Sequence, residues 1–571
     1  MSESTRDHKS GFPSTSEKDP RRSNSGIPGA VALPGKPGGR RWLARPDSIE
    51  IAQIMANNLD SIESLPEYAV IKKEQVRSVF RVRPEPGGRE LVVKHYHARP
   101  RDLVKHLIIP NKAVSEWRAW WRLSNAGIRV PEFLAMGEKR RGPFYEDACL
   151  VMEAIPGCMT AYQYISPIFD TCCTDPQKRR DALARIAELC ASMHEHGIFH
   201  CDFHAGNLLV TKDARGEAQL HVIDLHRVKF PKPLRTKHRV LTIANIVRNL
   251  NLYWRVDREE VREMCMHYAS VAGLDEDLTN RMWPWVIRYA LRRERNRVKK
   301  RTLRSLKNTS DLAVEKTNGY KLHRAKEITA DQVIATLDEH RRHTQADDAE
   351  VVHRSRVGTL TRTSSGLCVK EWFGRGTADA LRSRFSASKA KMAWMASHGL
   401  VLRQVNTPKP LAMVEEKGVR GSCYLITRYE PDARPLHLAL ADLIAAPDSV
   451  PEEEALGRAV AEQVGGLHAV GIYHGDLSAK NFLVERSARG WKVSIVDLDN
   501  VGRWRKLTRR RRLKSLAQLN DLPEGVSSRA RLAFVKKYNS YNPNAIDRRA
   551  MKEISRFTGA RAAKRNSKQS K

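Results

Sequence analysis

The sequence predicts an α+β protein built from two tandem copies of one domain and flanked by basic tails, and three observations carry that prediction. The first is size: 571 residues, 41% of them hydrophobic, exceed what a single core organises, so two large domains or three to four average ones are expected. The second is an internal repeat. H-G-I-F-H-C-D-F-H-A-G-N-L-L-V at 196–210 reappears as V-G-I-Y-H-G-D-L-S-A-K-N-F-L-V at 470–484, a displacement of 274 residues between Asp202 and Asp476. The third is constant spacing: Lys94 precedes Asp202 by 108 residues and Lys370 precedes Asp476 by 106, while Asp224 and Asp497 follow by 22 and 21. Repeats with near-fixed internal intervals mark duplicated structural units.

Residues 1–45 are rich in Ser, Pro, Gly, Lys and Arg and hold almost no large apolar side chains. Such a composition buries too little surface to offset ordering entropy, so a disordered basic arm is expected there, and a basic tail over 556–571. In the first domain, 46–345, E-L-V-V-K-H-Y reads as an apolar strand carrying Lys94 after a Gly-containing turn. V-S-E-W-R-A-W-W-R-L reads as a helix that presents Glu116 and spaces Trp117, Trp120 and Trp121 for packing. A-L-A-R-I-A-E-L-C-A-S-M-H places apolar residues at i, i+3 and i+4, again helical. The loop with Asp202 and Asn207 follows, then a β-rich run that reaches Asp224. The polar stretch H-R-R-H-T-Q-A-D-D-A-E sets the boundary near 345. In the second domain, 346–555, G-L-C-V-K-E-W carries Lys370, a helix precedes the loop with Asp476 and Asn481, and V-S-I-V-D-L carries Asp497.

Lys and Arg number 100 against 65 Asp and Glu, a net charge of +35 that favours nucleic acid, anionic lipid or phosphorylated glycan as partner. Nine cysteines without a C-x-x-C pair or zinc-finger spacing point to reduced thiols and a cytoplasmic setting, and Cys172-Cys173 reads as a loop pair without redox function. No run approaches eighteen apolar residues, and the first residues lack the apolar core of a signal peptide, so neither a membrane span nor secretion is expected. The run R-R-E-R-N-R-V-K-K-R-T-L-R from Arg292 and the run W-R-K-L-T-R-R-R-R-L-K from Trp504 hold few acids to offset mutual repulsion. They favour an anionic membrane surface or phosphorylated glycan, with RNA as the competing partner.

The repeated polar residues fit one chemistry. Phosphoryl transfer from ATP needs a cation on the phosphates, hard oxygen ligands for Mg²⁺, and a carboxylate that receives the acceptor hydroxyl. Lys94 and Lys370 supply the cation, with Glu116 as ion-pair partner of Lys94. Asp202 and Asp476 supply the acceptor carboxylate, and Asn207, Asp224, Asn481 and Asp497 the metal ligands. His200 and His474 read as structural supports of the loop. Around Lys370 the matching helix offers Ser388, Lys389 and Lys391 but no acid, and Glu371 points to the opposite face of its strand. The second copy is therefore expected to bind nucleotide more weakly.

The pattern H-x-D-x-x-x-x-N followed by I-D-L or V-D-L resembles the protein-kinase-like superfamily. Within it the chain is similar to the bacterial lipopolysaccharide kinases, which phosphorylate Kdo or heptose: D-L-H-R-V in the first copy is similar to the heptose kinases, and K-A-K-M-A-W-M-A-S-H-G-L with T-P-K-P-L-A-M-V-E in the second to the Kdo kinases. Neither copy has the G-x-G-x-x-G loop of protein kinases. The resemblance implies two bilobal kinase-like domains, with ATP between a β-rich and a helical lobe. It implies a lipopolysaccharide core glycan as acceptor and a peripheral place at the cytoplasmic face of the bacterial inner membrane. H-G-D-L-S-A-K-N is also similar to the RIO-type kinases, which leaves an atypical protein kinase, or a silent scaffold on membrane or RNA, as alternatives.

Overall fold

The computed structural model describes residues 29–33, 39–98, 109–169, 175–253, 258–374, 387–416, 421–503 and 507–569, apart from residues 75, 86, 318 and 489. It divides into one unit of residues 1–250 and 258–287 and another of 251–257 and 288–571. Each unit builds the same seven-stranded sheet. In the first the strand order in space is Val31–Ala32, Arg41–Ala44, Phe133–Arg141, Phe144–Glu153, Leu91–His97, Arg77–Val82, Ala69–Glu74. In the second it is Leu312–Thr317, Tyr320–Ala325, Pro410–Glu416, Cys423–Arg428, Leu367–Trp372, Gly358–Arg362, Val351–Ser355. The registers also match: Lys94 lies between Val79 and Leu150, and Lys370 between Leu360 and Leu425.

Strand alternation sends Val93 and Lys94 to opposite faces of the sheet. Val93 joins Phe80, Leu91, Leu134 and Val151 in a core completed by Ala52 and Met55 of the helix Ile49–Asn58. Val369, Ala412, Val414 and Ile426 do the same beneath Val333 and Leu337 of the helix Ala330–Ala346, whose start is fixed by a reciprocal cap between Thr329 and Gln332. That helix also receives Glu371, which meets His340 Nε2 at 3.1 Å on the face away from Lys370.

The helical parts repeat as well. In the first unit, the helix Pro176–Glu195, the hairpin Leu208–Lys212 with Ala218–Val222, and the helices Thr236–Tyr253, Arg258–Val271 and Glu276–Arg304 follow in turn. Their counterparts are Val450–Ala469, the hairpin Phe482–Ser487 with Gly490–Ile495, Arg509–Leu519, Ser528–Tyr541 and Arg548–Gln569. One polar contact marks the correspondence: His194 Nδ1 meets the Tyr268 hydroxyl at 2.9 Å, and His468 Nδ1 meets the Tyr538 hydroxyl at 2.8 Å. Burial holds both rings neutral, with pKa values pushed down to about 3.

Three expectations about domain limits change. The division falls at 287/288, within the helix Glu276–Arg304, and not at 345. Residues 312–346, which a boundary near 345 assigns to the first domain, form the leading hairpin and helix of the second sheet. At the front, residues 41–44 are no part of a disordered arm: Arg41–Ala44 pairs with Phe133–Arg141, and Trp42, Leu43 and Ala44 are buried. Residues 1–28, 34–38 and Cys172-Cys173 lie outside the described residues. The basic tail is helical through Gln569, since Arg548–Gln569 continues across 556. No disulfide joins the described cysteines, and among the described residues no helix is long and apolar enough to cross a membrane.

Candidate functional site

In each unit the loop between helix and hairpin is wired by the same short-range bonds. The Asp202 N–H donates to His200 Nδ1 and the Asp476 N–H to His474 Nδ1, both at 3.2 Å. His200 and His474 are buried, and burial lowers both rings, His200 to about 4, so they act as neutral acceptors that shape the loop. The Asn207 amide nitrogen donates to the Asp202 carbonyl at 2.9 Å, and Asn481 to the Asp476 carbonyl at 2.8 Å. The Asn207 carbonyl accepts from Ile223 N–H and the Asn481 carbonyl from Val496 N–H, each at 3.0 Å, which sets each asparagine beside the next aspartate. Asp224 and Asp497 both take the left-handed backbone, φ 63° and 61°. A non-glycine residue there is strained, and its occurrence at the same place in both copies marks a position kept for its side chain.

A support that motif reading missed holds each loop from below. Asn245 of the helix Thr236–Tyr253 donates to the Cys201 carbonyl at 3.2 Å. Gln518 of Arg509–Leu519 donates to the Gly475 carbonyl at 2.9 Å and accepts from Leu477 N–H at 3.0 Å. Both helices lie downstream of the motif, so no local spacing signals them.

In the first unit, Lys94 Nζ meets Glu116 Oε2 at 2.8 Å, with Glu116 fully buried. The Tyr96 hydroxyl donates to the other oxygen of Glu116. His226 Nδ1 lies 2.8 Å from Asp224 Oδ1 and 3.6 Å from Glu116 Oε1, and Arg77 donates to Asp224 Oδ1 at 3.0 Å. Burial would raise both carboxyls. The Lys94 charge and the His226 bond outweigh it at Glu116, and the His226 bond with the Lys94, His226 and Arg77 charges outweighs it at Asp224. Both acids therefore stay ionised, Asp224 far below the usual carboxylate range. Burial would likewise lower His226, but its bonds to Asp224 and Glu116 raise it. Trp117 and Trp120 are buried, Trp120 stacked on Phe133, so these rings serve packing.

The second unit solves the same charge problem with different residues. Asn111 and Ser388 cap the corresponding helices, Lys112–Asn125 and Lys389–Val401, and bond Glu138 at 2.7 Å and Glu415 at 2.5 Å on the matching strand. That common anchor puts Ala393, buried, at the place of Glu116. Lys370 pairs directly with Asp497 Oδ1 and stands 4.9 Å from the Trp372 ring centre. The acid the helix lacks comes from the loop instead. Asp499 Oδ2 accepts from Trp372 Nε1 at 3.3 Å and meets Lys389 Nζ at 3.1 Å. Trp372 and Asp499 thus stand where Tyr96 and His226 stand in the first unit. Lys370 has an acid partner after all, one of the expected metal ligands, a long-range contact that the sequence did not reveal.

The donor set fits Mg²⁺. Each asparagine spends its amide nitrogen on the loop carbonyl, so its amide oxygen is the atom that can face a metal, beside an ionised aspartate, and both are the hard oxygen ligands that ion prefers. Glu116, Asp224 and His226 also bring ligand atoms within 4.8 Å of one another, but Glu116 is already engaged by Lys94 and Tyr96.

Residues 78–283 and 332–538 each match the profile of the lipopolysaccharide kinase (Kdo/WaaP) family. The lipopolysaccharide core heptose(I) kinase WaaP of Escherichia coli K12 is 24% identical over 229 residues, 36% of this chain and 84% of that enzyme. The 3-deoxy-D-manno-octulosonic acid kinase of Haemophilus influenzae is 27% identical over 24% of this chain and 63% of its own length. The EKC/KEOPS complex subunit Tp53rkb of Mus musculus is 31% identical over 25% of this chain and 55% of its own. A solved structure of WaaP in complex with acyl carrier protein aligns at 21% identity over 40% of this chain and 90% of that one, with a TM-score of 0.32. Matched twice over more than half its length, the chain belongs to the lipopolysaccharide kinase (Kdo/WaaP) family.

Proposed function

We propose that the protein transfers the γ-phosphoryl group of Mg²⁺-ATP to a sugar hydroxyl, Kdo or heptose, of a lipopolysaccharide inner core. The observation that carries this reading is the buried Lys94–Glu116 pair set against Asp224, Asn207 and Asp202 in one unit. In that arrangement Lys94 meets the nucleotide phosphates, Asn207 and Asp224 hold Mg²⁺, and Asp202 orients the acceptor hydroxyl and takes its proton. The metal, when bound, neutralises charge on the transferring phosphoryl group. Family membership supports the sugar acceptor, and relatives that are a heptose kinase and a 3-deoxy-D-manno-octulosonic acid kinase supply the two candidate sugars.

The same reading places the protein on the cytoplasmic face of an anionic membrane, where such an acceptor is anchored. Arg292, Arg295, Lys299, Lys300 and Arg301 are exposed on the helix Glu276–Arg304. The second basic run is partly used internally, with Arg509 at 2.6 Å from Glu553 and Arg511 over the Tyr473 ring. Mass spectrometry of core glycans from cells with and without the gene tests the proposal. Loss of about one phosphate per active unit is expected. An unchanged core, with phosphate appearing on protein in a turnover assay, would move the assignment to a protein kinase.

A further inference from the structure

The strands Ala69–Glu74 and Arg77–Val82 pair as a hairpin with Glu74 opposite Arg77, leaving two residues between them. In the second unit Ser355 stands opposite Gly358 with the same spacing. A connection this short has no length of backbone to fold over a triphosphate, the task of the glycine-rich loop in protein kinases. The phosphates bound by such a unit need their donors from side chains.

The first unit carries one in position. Arg77 pairs across from Tyr96 and Val79 from Lys94, so the two-residue period puts Arg77, Tyr96 and Lys94 on one face of the sheet. Arg77 reaches from that face to Asp224 Oδ1 at 3.0 Å, with only 18% of its side chain exposed. Asp224 already has the His226 ring at 2.8 Å, so the guanidinium is a second partner on a carboxylate oxygen that is engaged without it. A metal ion on Asp224 repels the guanidinium, unless an anion arrives with the metal. A nucleotide triphosphate is such an anion, and the planar fork of arginine suits phosphate oxygens as well as it suits a carboxylate.

The matching position of the second unit holds no side chain. Gly358 pairs with Trp372 as Arg77 pairs with Tyr96, and a Cβ at Gly358 would lie 2.0 Å from the Glu371 carbonyl oxygen. No side chain fits there, and Lys370 takes the corresponding aspartate itself. We propose that Arg77 is a nucleotide-phosphate ligand of the first unit, parked on Asp224 until a metal–nucleotide complex displaces it. The inference rests on the Mg²⁺-ATP reading of that unit given above.

Calorimetric titration of the full chain, with Lys370→Met to silence the second unit, compares Mg²⁺-AMPPNP with adenosine. Arg77→Gln is expected to weaken AMPPNP by about tenfold or more, the scale of lost charge-assisted hydrogen bonds, and to leave adenosine unchanged. Arg77→Lys should recover part of the loss, since charge returns without the fork, and it decides the matter if the glutamine variant fails to fold. Equal or tighter AMPPNP binding overturns the inference, because Arg77 would then be a passive or inhibitory contact. Equal losses for AMPPNP and adenosine overturn it too, by showing that Arg77 only shapes the cleft. If AMPPNP fails to bind with Arg77 intact, the nucleotide reading of the first unit falls, and this inference with it.

Discussion

The two clefts hold the same strand lysine in opposite ways. In the first, Lys94 is held by a buried helix acid, Glu116, which also accepts from Tyr96. In the second the helix position is Ala393, and Lys370 closes directly on Asp497, while the acid that accepts from the aromatic neighbour is Asp499 of the loop. The contrast separates fold from chemistry. Both units keep the same loop bonds, but the first pairs its strand lysine with a helix acid while the second pairs it with the loop aspartate. On the proposed Mg²⁺-ATP reading, Lys370 has to leave Asp497 before a metal takes that aspartate, and the exchange opposes binding. The units also differ beside the first loop aspartate. Arg561 of the last helix lies 3.4 Å from Asp476, and Lys480 4.0 Å, whereas the position of Lys480 is Gly206 in the first loop.

The largest effect expected from breaking this comparison is on stability. Glu116→Gln leaves Lys94 without its buried partner and should destabilise the first unit by about 3–5 kcal/mol in chemical denaturation. Asp499→Asn should cost less, because Lys389 is 45% exposed and water takes over its charge. Equal losses would show that the two acids are interchangeable. Next in size, Asp202→Asn and Asp224→Asn should each cut turnover on the order of a hundredfold or more, with Asp224→Asn also weakening Mg²⁺ binding. Lys94→Met should lose more turnover than Lys370→Met, and the reverse ranking would assign the chemistry to the second unit.

A pH series tests what the units share. His194 and His468 have folded pKa values of about 3, below the ordinary value of 6.5. The unfolded chain therefore takes up these protons first as pH falls. Their contribution is complete above about pH 6.5 and is lost between there and about pH 3, by up to roughly 1.4 kcal/mol per pH unit for each ring. Denaturation midpoints should fall over that window, and His194→Gln should flatten the slope. The smallest effect concerns the basic helix. Charge reversal at Lys299 and Lys300 should weaken binding to anionic vesicles by roughly 1 kcal/mol per residue, and added salt should weaken it further. Binding indifferent to salt would remove the membrane reading of that helix.

Much of the site was legible because its defining bonds are local. His200 reaches Asp202 two residues on, and Asn207 reaches back five, so a short motif carries the loop whole. Lys94 and Lys370 stand out as charges ending apolar runs, a pattern that strand alternation makes readable. The domain limits were less legible. Composition marked 1–45 as an arm and a polar stretch set the boundary near 345, but Trp42, Leu322, Val333 and Leu337 anchor 41–44 and 312–346 once a sheet face is present.

By itself, then, the sequence determined the duplication, the order of the elements and the identity of each loop aspartate and asparagine. Tertiary structure alone decided which charges meet. Arg77 and Asp224 are 147 residues apart, Trp372 and Asp499 127, and Arg561 and Asp476 85. The reason is physical: a spacing encodes contact only within the reach of one loop or one helical turn, while a pair held across a cleft depends on sheet register and helix placement that many distant apolar contacts set together.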